Sequence, residues 1–266
     1  QLSRTYKVVM MLGGRLAGKV CLVTASTAGI GLGIARRLGR EGASVMICSR
    51  KAENVEKTVR ELQAENLNVH GVPCHVGKDA DRKNLVAETL KRFGGRIDAF
   101  VSNAAVNPTY GPVLDTTEEQ WDKLFDINVK SAFLLCKEIL PVMQTQKSGS
   151  VVFISSIAGY TAIEGLGGYS VSKTALLGLS KVIATESAAF GIRANCIAPG
   201  IVKTNFSEAL WIDPKQSQRV LRQVPLQRFG EAEDIAGAAA FLCSSDSSYM
   251  TGETLTIAGG MMASKI

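Results

Sequence analysis

Lys19-Val20-Cys21-Leu22-Val23-Thr24-Ala25-Ser26-Thr27-Ala28-Gly29-Ile30-Gly31 is the stretch on which the fold turns. It begins as a short apolar run of strand character and ends in glycines, and a helical pattern from Leu32 to Leu38 comes at once after it. A strand that feeds a helix through such a turn is suited to phosphate. Glycines 29 and 31 let the backbone approach a pyrophosphate, while the free N–H groups and positive end of the helix supply the anion site. Thr24, Ser26, Gly29, Ile30 and Gly31 are therefore candidate cofactor-binding residues. A glycine turn alone can be a mere tight turn; its place in the first strand–helix–strand unit favours the nucleotide reading.

Outward from this turn, β-branched runs alternate with longer helical patterns, the mark of a parallel sheet. Strands are expected at Lys19 to Thr24, Ser44 to Ser49, Asn68 to Pro73, Asp98 to Ser102, Ser150 to Ser155, Arg193 to Ala198 and Thr254 to Ile257. Helices are expected near Gly31 to Glu41, Asn54 to Glu65, Ala80 to Phe93, Glu118 to Gln144, Tyr169 to Phe190 and Glu231 to Ser244. The prediction is one α/β domain, residues 19–262, with a doubly wound parallel seven-stranded sheet. Residues 203–226, rich in polar side chains and holding Trp211, Asp213, Pro214 and Pro225, read as neither clean helix nor clean strand and as a candidate substrate lid.

Composition narrows the classes. Of 266 residues, 46% are apolar and 20% charged, enough to bury a large core. No run reaches the roughly eighteen apolar residues needed to span a bilayer. Lys plus Arg exceeds Asp plus Glu by 30 − 24 = 6, but the cations are scattered, so no nucleic-acid surface is expected. Six dispersed cysteines read as reduced and buried, and with His70 and His75 the only histidines, no metal site is expected. Residues 1–18 carry Arg4, Lys7 and Arg15 and no acid, compatible with a processed targeting segment or a mere tail.

Two further groups carry chemistry. The second strand ends in Ser49-Arg50-Lys51, where an NAD-preferring fold usually offers an acid to the ribose; here two cations favour the 2′-phosphate of NADP. Tyr169 and Lys173 are four apart and share a helix face, so the ammonium can sit beside the phenol and favour its ionised form. Tyr-x-x-x-Lys is common on helices; Ser156, at the end of Val151-Val152-Phe153-Ile154-Ser155, makes proton transfer the sharper reading.

Taken together, the Thr24–Gly31 turn, Ser102-Asn103-Ala104-Ala105, Asn128 in Asp126-Ile127-Asn128-Val129, Ser156, Tyr169/Lys173, and Pro199-Gly200 with Thr204 resemble the short-chain dehydrogenase/reductase family in order and spacing, over essentially all of Lys19 to Gly260. The resemblance implies a Rossmann fold and an NADPH-dependent carbonyl reduction. Tyr169 would donate the proton, Ser156 would fix the carbonyl oxygen, and Lys173 would lower the tyrosine pKa and bind the nicotinamide ribose. Asn128 would hold a water linking Lys173 to solvent. His75, Val76, Asn103, Ala104, Ala105, Pro199, Gly200, Val202 and Thr204 would complete the NADP site. Three positions depart from the family pattern. Ala25 replaces a glycine and fits if its φ is negative; Ala105 replaces the last glycine of Asn-Asn-Ala-Gly; His75 replaces an aspartate and would stack on adenine or donate through its backbone.

The wording of Ser49-Arg50-Lys51, Cys74-His75-Val76-Gly77-Lys78 and Val101 to Pro108 resembles a carbonyl- and retinal-reductase subgroup, peroxisomal and usually tetrameric. Leu166, Phe206 and Trp211, with Ser156 and Tyr169, would bind an apolar carbonyl substrate: an α-dicarbonyl, aromatic ketone, retinal or 3-ketosteroid. Small residues on the Tyr169 helix, Ala175, Gly178, Ala184 and Ala188, fit a partner subunit in a homotetramer. The tail 263–266, with Ser264-Lys265-Ile266, is a weakened peroxisomal-type address, the alternatives being mitochondrial or cytoplasmic. An alcohol dehydrogenase working oxidatively, or a non-catalytic NADP-binding regulator, are the competing functions.

Overall fold

Strands β1 (Val20–Val23), β2 (Ser44–Ser49), β3 (Val69–Pro73), β4 (Ala99–Ser102), β5 (Gly149–Ile154), β6 (Ile192–Pro199) and β7 (Thr254–Ile257) hydrogen-bond in the order β3-β2-β1-β4-β5-β6-β7, and every pair is parallel. The computed structural model describes residues 14–262. Its helices are α1 (Gly29–Arg40), α2 (Ala52–Ala64), α3 (Asp79–Arg92), α4 (Glu118–Phe125), α5 (Ser131–Gln146), α6 (Gly167–Ser187), α7 (Pro214–Leu221) and α8 (Ala232–Cys243). Parallel strands buried on both faces need apolar side chains on both, and β1 and β4 are buried at every residue. One core lies where α1 and α8 cover the sheet, around Val23, Ile34, Leu38 and Ile235; the other lies under α5 and α6, around Phe100, Leu135, Phe153 and Leu176.

The chain winds outward from β1 to β3 on one side and then restarts at β4 on the other. The crevice between the carboxyl ends of β1 and β4 is thus the place where this architecture takes ligands. Thr24 sits at that switch point. Its Oγ1 accepts from the N–H groups of Asn103 (3.0 Å) and Ala104 (3.2 Å), tying the first turn to the loop after β4.

The structure departs from the sequence reading in four places. The helix expected at Glu118 to Gln144 is split by a π-helical turn, Asp126–Lys130, which contains Asn128. Such turns insert one residue into a helix and re-aim the side chains of the next turn. The segment 203–226 is more ordered than its composition suggested: a 3₁₀ turn, Asn205–Leu210, precedes α7, whose start is capped by Asp213 (Gln216 N–H to Oδ2, 3.0 Å) with Pro214 next. Ala25 has φ +50°, not the negative value its side chain would favour. Finally, residues 14–18 belong with the domain, since Leu16 is fully buried and Arg15 pairs with Glu41 at 2.6 Å. Residues 1–13 and the Ser264-Lys265-Ile266 tail lie outside the described residues, and among those described no helix is long and apolar enough to cross a membrane.

Candidate active site

Helix α6 begins where Gly168 meets Trp121 and Leu124; a Cβ there would come within 2.8 Å of Leu124 Cδ1. This close approach sets the first turn of α6, and with it Tyr169 and, one turn on, Lys173. Ser156 comes two residues after the end of β5, in extended conformation, and its Oγ accepts from the Ala158 N–H (3.1 Å) to start a short turn. Ser155 Oγ donates to the Lys173 carbonyl (2.8 Å), locking the end of β5 to α6. Together these contacts bring Ser156, Tyr169 and Lys173 into the wall of one cavity of about 300 Å³.

Burial governs the charges here. Lys173 is 2% exposed, its Nζ donates to the Ile154 carbonyl (2.7 Å), and burial brings its pKa down to about 8. Burial pushes the Tyr169 phenol up to about 12, with a hydrogen bond from Ser156 pulling the other way. The expected lowering of the tyrosine by Lys173 is therefore not what the protein alone produces. The ammonium lies 5.5 Å from the ring centroid, over the ring rather than at the hydroxyl. Tyr169 is held as a neutral phenol, the form that gives up a proton.

Of the candidate cofactor residues, Gly29, Ile30, Asn103, Ala105, Pro199, Gly200, Val202 and Thr204 line the same cavity. Gly31 is a cradle: a Cβ on it would collide with the Ala25 carbonyl and the Asn103 amide. Thr24 and Ser26 are fully buried and internally satisfied, Ser26 Oγ donating to the Val23 carbonyl (2.6 Å) and accepting from the Cys48 N–H (3.1 Å). They shape the turn rather than offer side chains to a ligand. Ser49 ends β2 with a buried Oγ that has no hydrogen-bond partner among the described residues. Arg50 beside it is exposed and makes no ion pair with them, while Lys51 pairs with Glu53 at 3.6 Å. At the end of neighbouring β3, the His75 N–H is taken by Asp81 Oδ2 (2.8 Å), so it is not available to adenine. His75 Nδ1 accepts from the Gly77 N–H (3.1 Å), an acceptor role an aspartate could fill. Val76 is buried next to it. A crevice with a glycine cradle, an orphaned ribose-side hydroxyl and an unpaired arginine at the second strand's end fits a phosphorylated dinucleotide.

Two expected roles change. The Asn128 amide donates to the Val106 carbonyl (3.0 Å) and Ser172 Oγ (2.9 Å), and its Oδ1 accepts from the Val106 N–H (2.8 Å). Its side chain clamps the loop after β4; both amide hydrogens are used, and one lone pair of Oδ1 is left for a further donor. Trp211 is outside the cavity and lines a separate depression with Lys203, Leu221 and Phe229, its Nε1 donating to Ser207 Oγ (3.1 Å). Leu166 and Phe206 do line it, Phe206 lying 5.9 Å from the Tyr169 ring. Asn107, Ile163 and Asn205 also line it and were not singled out, because loop residues carry no periodic signal.

A family profile described as Enoyl-(Acyl carrier protein) reductase matches residues 24–262. The chain belongs to the short-chain dehydrogenase/reductase family. It is 55% identical to Dehydrogenase/reductase SDR family member 4 of Oryctolagus cuniculus over 92% of this chain and 94% of that one. It is 49% identical to Dehydrogenase/reductase SDR family member 2, mitochondrial, of Homo sapiens, over 92% and 87%. Among solved structures, a variant of actinorhodin polyketide ketoreductase with NADPH superposes with a TM-score of 0.87 at 29% identity, covering 94% of this chain and 98% of that one. For a short-chain dehydrogenase/reductase, the cavity and the dinucleotide crevice lie where the family's sheet topology would put them.

Proposed function

We propose that this short-chain dehydrogenase/reductase uses NADPH to reduce ketones and aldehydes, with α-dicarbonyls and aromatic ketones as the substrate class and retinal and 3-ketosteroids as larger candidates. The observation that carries the reading is the meeting of a half-buried, protonated Tyr169 with Ser156 and buried Lys173 in one largely apolar cavity beside the glycine turn. When bound, NADPH supplies a hydride to the carbonyl carbon. Tyr169 Oη gives its proton to the carbonyl oxygen, and Ser156 Oγ hydrogen-bonds that oxygen as negative charge builds on it. Lys173 holds the ribose end. Ile157, Ile163 and Leu166 exclude water from the reacting carbon.

Arg50 directs the cofactor choice toward the 2′-phosphate, and the solved ketoreductase variant at 29% identity carries NADPH. The test is loss of NADPH absorbance with 1-phenyl-1,2-propanedione or benzil. Reduction with NADPH and not NADH supports the reading; no turnover with either favours a non-catalytic binder, and faster alcohol oxidation with NAD favours the oxidative alternative.

A homotetramer is part of the same proposal, supported by an exposed apolar face on α6: Val171 and Val182 are half exposed, and a Cβ on Gly178 would meet nothing within 4 Å. Light scattering measures it directly. A peroxisomal address in Ser264-Lys265-Ile266 is likewise proposed, and fusing those residues to a reporter tests it.

A further inference from the structure

Three side-chain polar atoms among the described residues are buried without a hydrogen-bond partner: Ser49 Oγ, Asn107 Oδ1 and Ser170 Oγ. Of these, Asn107 alone lines the reaction cavity. Buried acceptors are nearly always met, so one left open in a ligand cavity points to a ligand. Resting on the carbonyl-reductase reading, we propose that the Asn107 carboxamide is a specificity determinant that hydrogen-bonds a second oxygen on the carbon next to the reacting carbonyl.

The residue is held for that task. Asn128 takes both the N–H and the carbonyl of Val106, fixing the backbone immediately before Asn107. Pro108 comes next and confines Asn107 to extended backbone. The side chain is thus presented from a loop clamped on both sides. The rest of the cavity offers little competition. Asn103 Nδ2 is committed to the Thr24 and Ala25 carbonyls, Lys173 Nζ to the Ile154 carbonyl and, in the reductase reading, to the ribose, and Ser207 Oγ to the Val202 carbonyl. Ser156 and Tyr169 serve the reacting oxygen. Asn205, the other free amide on the wall, is exposed, so a second substrate oxygen has Asn107 as its buried partner.

A carboxamide has both kinds of polar atom, and its terminal torsion is soft. Oδ1 accepts from the hydroxyl of an α-hydroxyketone; turned over, Nδ2 donates to the second carbonyl of a dione. A simple ketone of the same shape uses neither. Discrimination then comes from the vicinal oxygen, separately from whatever the intrinsic reactivity of a dione contributes, because that contribution cancels when variants are compared.

The experiment compares 1-phenyl-1,2-propanedione, 2-hydroxypropiophenone and propiophenone with the parent, Asn107→Leu and Asn107→Asp, reading kcat/KM by NADPH absorbance and binding of the dione and propiophenone to the NADP⁺-loaded protein by calorimetry. Asn107→Leu is expected to lower the dione-to-propiophenone ratio by about tenfold, the loss of one hydrogen bond, in both readouts. Asn107→Asp, which cannot donate, is expected to lose the dione preference and keep that for the hydroxyketone. If Asn107→Leu does not fold, the isosteric Asp variant and its split between the two substrates decide. Ratios that stay within about twofold of the parent in the variants overturn the inference, as does a parent that binds dione and propiophenone equally. A parent that binds the dione through Asn107 but does not reduce it leaves this inference standing and sinks the reductase reading.

Discussion

Lys173 Nζ lies over the Tyr169 ring, 5.5 Å from its centroid, with one N–H committed to the Ile154 carbonyl. The phenol is thereby neighbour to a cation but not hydrogen-bonded to it. Tyr169→Phe keeps the ring and its contact with Phe206 while removing the only proton the reaction needs from this residue. Turnover is expected to fall by roughly 10²–10⁴, with NADPH affinity, measured by fluorescence titration, changed by less than about threefold.

The same pair predicts opposite pH effects on stability. Lys173, brought down to about 8 from an ordinary 10.5, binds its proton more weakly folded than unfolded. It penalises the fold below pH 8, and the penalty is relieved as pH rises from 8 to 10.5. Tyr169, pushed up to about 12, keeps its proton in the fold between pH 10 and 12 when the unfolded chain has lost it. Its contribution therefore falls across that window. Relative to Tyr169→Phe, the parent should lose stability above pH 10 in chemical denaturation. Relative to Lys173→Met, it should gain between pH 8 and 10.5.

Arg50→Ala should raise KM for NADPH by about 10- to 100-fold, the worth of a charge-assisted hydrogen bond, and leave KM for NADH nearly unchanged. Lys51→Ala should do less, because Lys51 already has Glu53. Equal KM values for both cofactors in the parent would remove the basis for this assignment.

Ala25→Gly should stabilise the protein. An L-residue at φ +50° carries roughly 1 kcal/mol of strain that glycine does not, partly offset by glycine's freer unfolded chain. A melting temperature raised by about 1–2 °C is expected from calorimetry. A lower one would mean that the Ala25 methyl makes packing contacts worth more than the strain.

Phe206→Ala should raise KM for aromatic ketones several-fold, since the ring lines the cavity beside Tyr169. Trp211→Phe, changing a residue outside that wall, should leave KM within about twofold, since substitutions away from a site's contacts are usually near neutral. Steady-state kinetics with 1-phenyl-1,2-propanedione separates the two.

The sheet was legible because most strands are apolar runs and the helices between them are periodic, and both signals survive without any partner. So was the meeting of Tyr169 and Lys173 in one cavity wall, since helix spacing places Lys173 one turn from Tyr169. What could not be read depended on contacts distant in sequence. Nothing local says that Asn128 will spend its amide on Val106, or that Trp211 will face away from the cavity while Phe206 faces in. The α7 helix was a different failure: Asp213-Pro214 is an N-cap with a first-turn proline after it, a start signal that the polar composition obscured. The Ala25 dihedral lies beyond pattern reading altogether, because the tight turn, not the residue, imposes it.

The two tryptophans of the chain each touch a residue next to or in the cavity wall without lining it themselves. Trp121 lies against Gly168 at the start of α6, and the indole N–H of Trp211 is bonded to Ser207, a residue of the cavity wall. The molecule thus carries its own optical reporters. Replacing either tryptophan singly would leave one emission signal, so that movement of the lid segment and settling of the α6 end could be timed apart, without a dye.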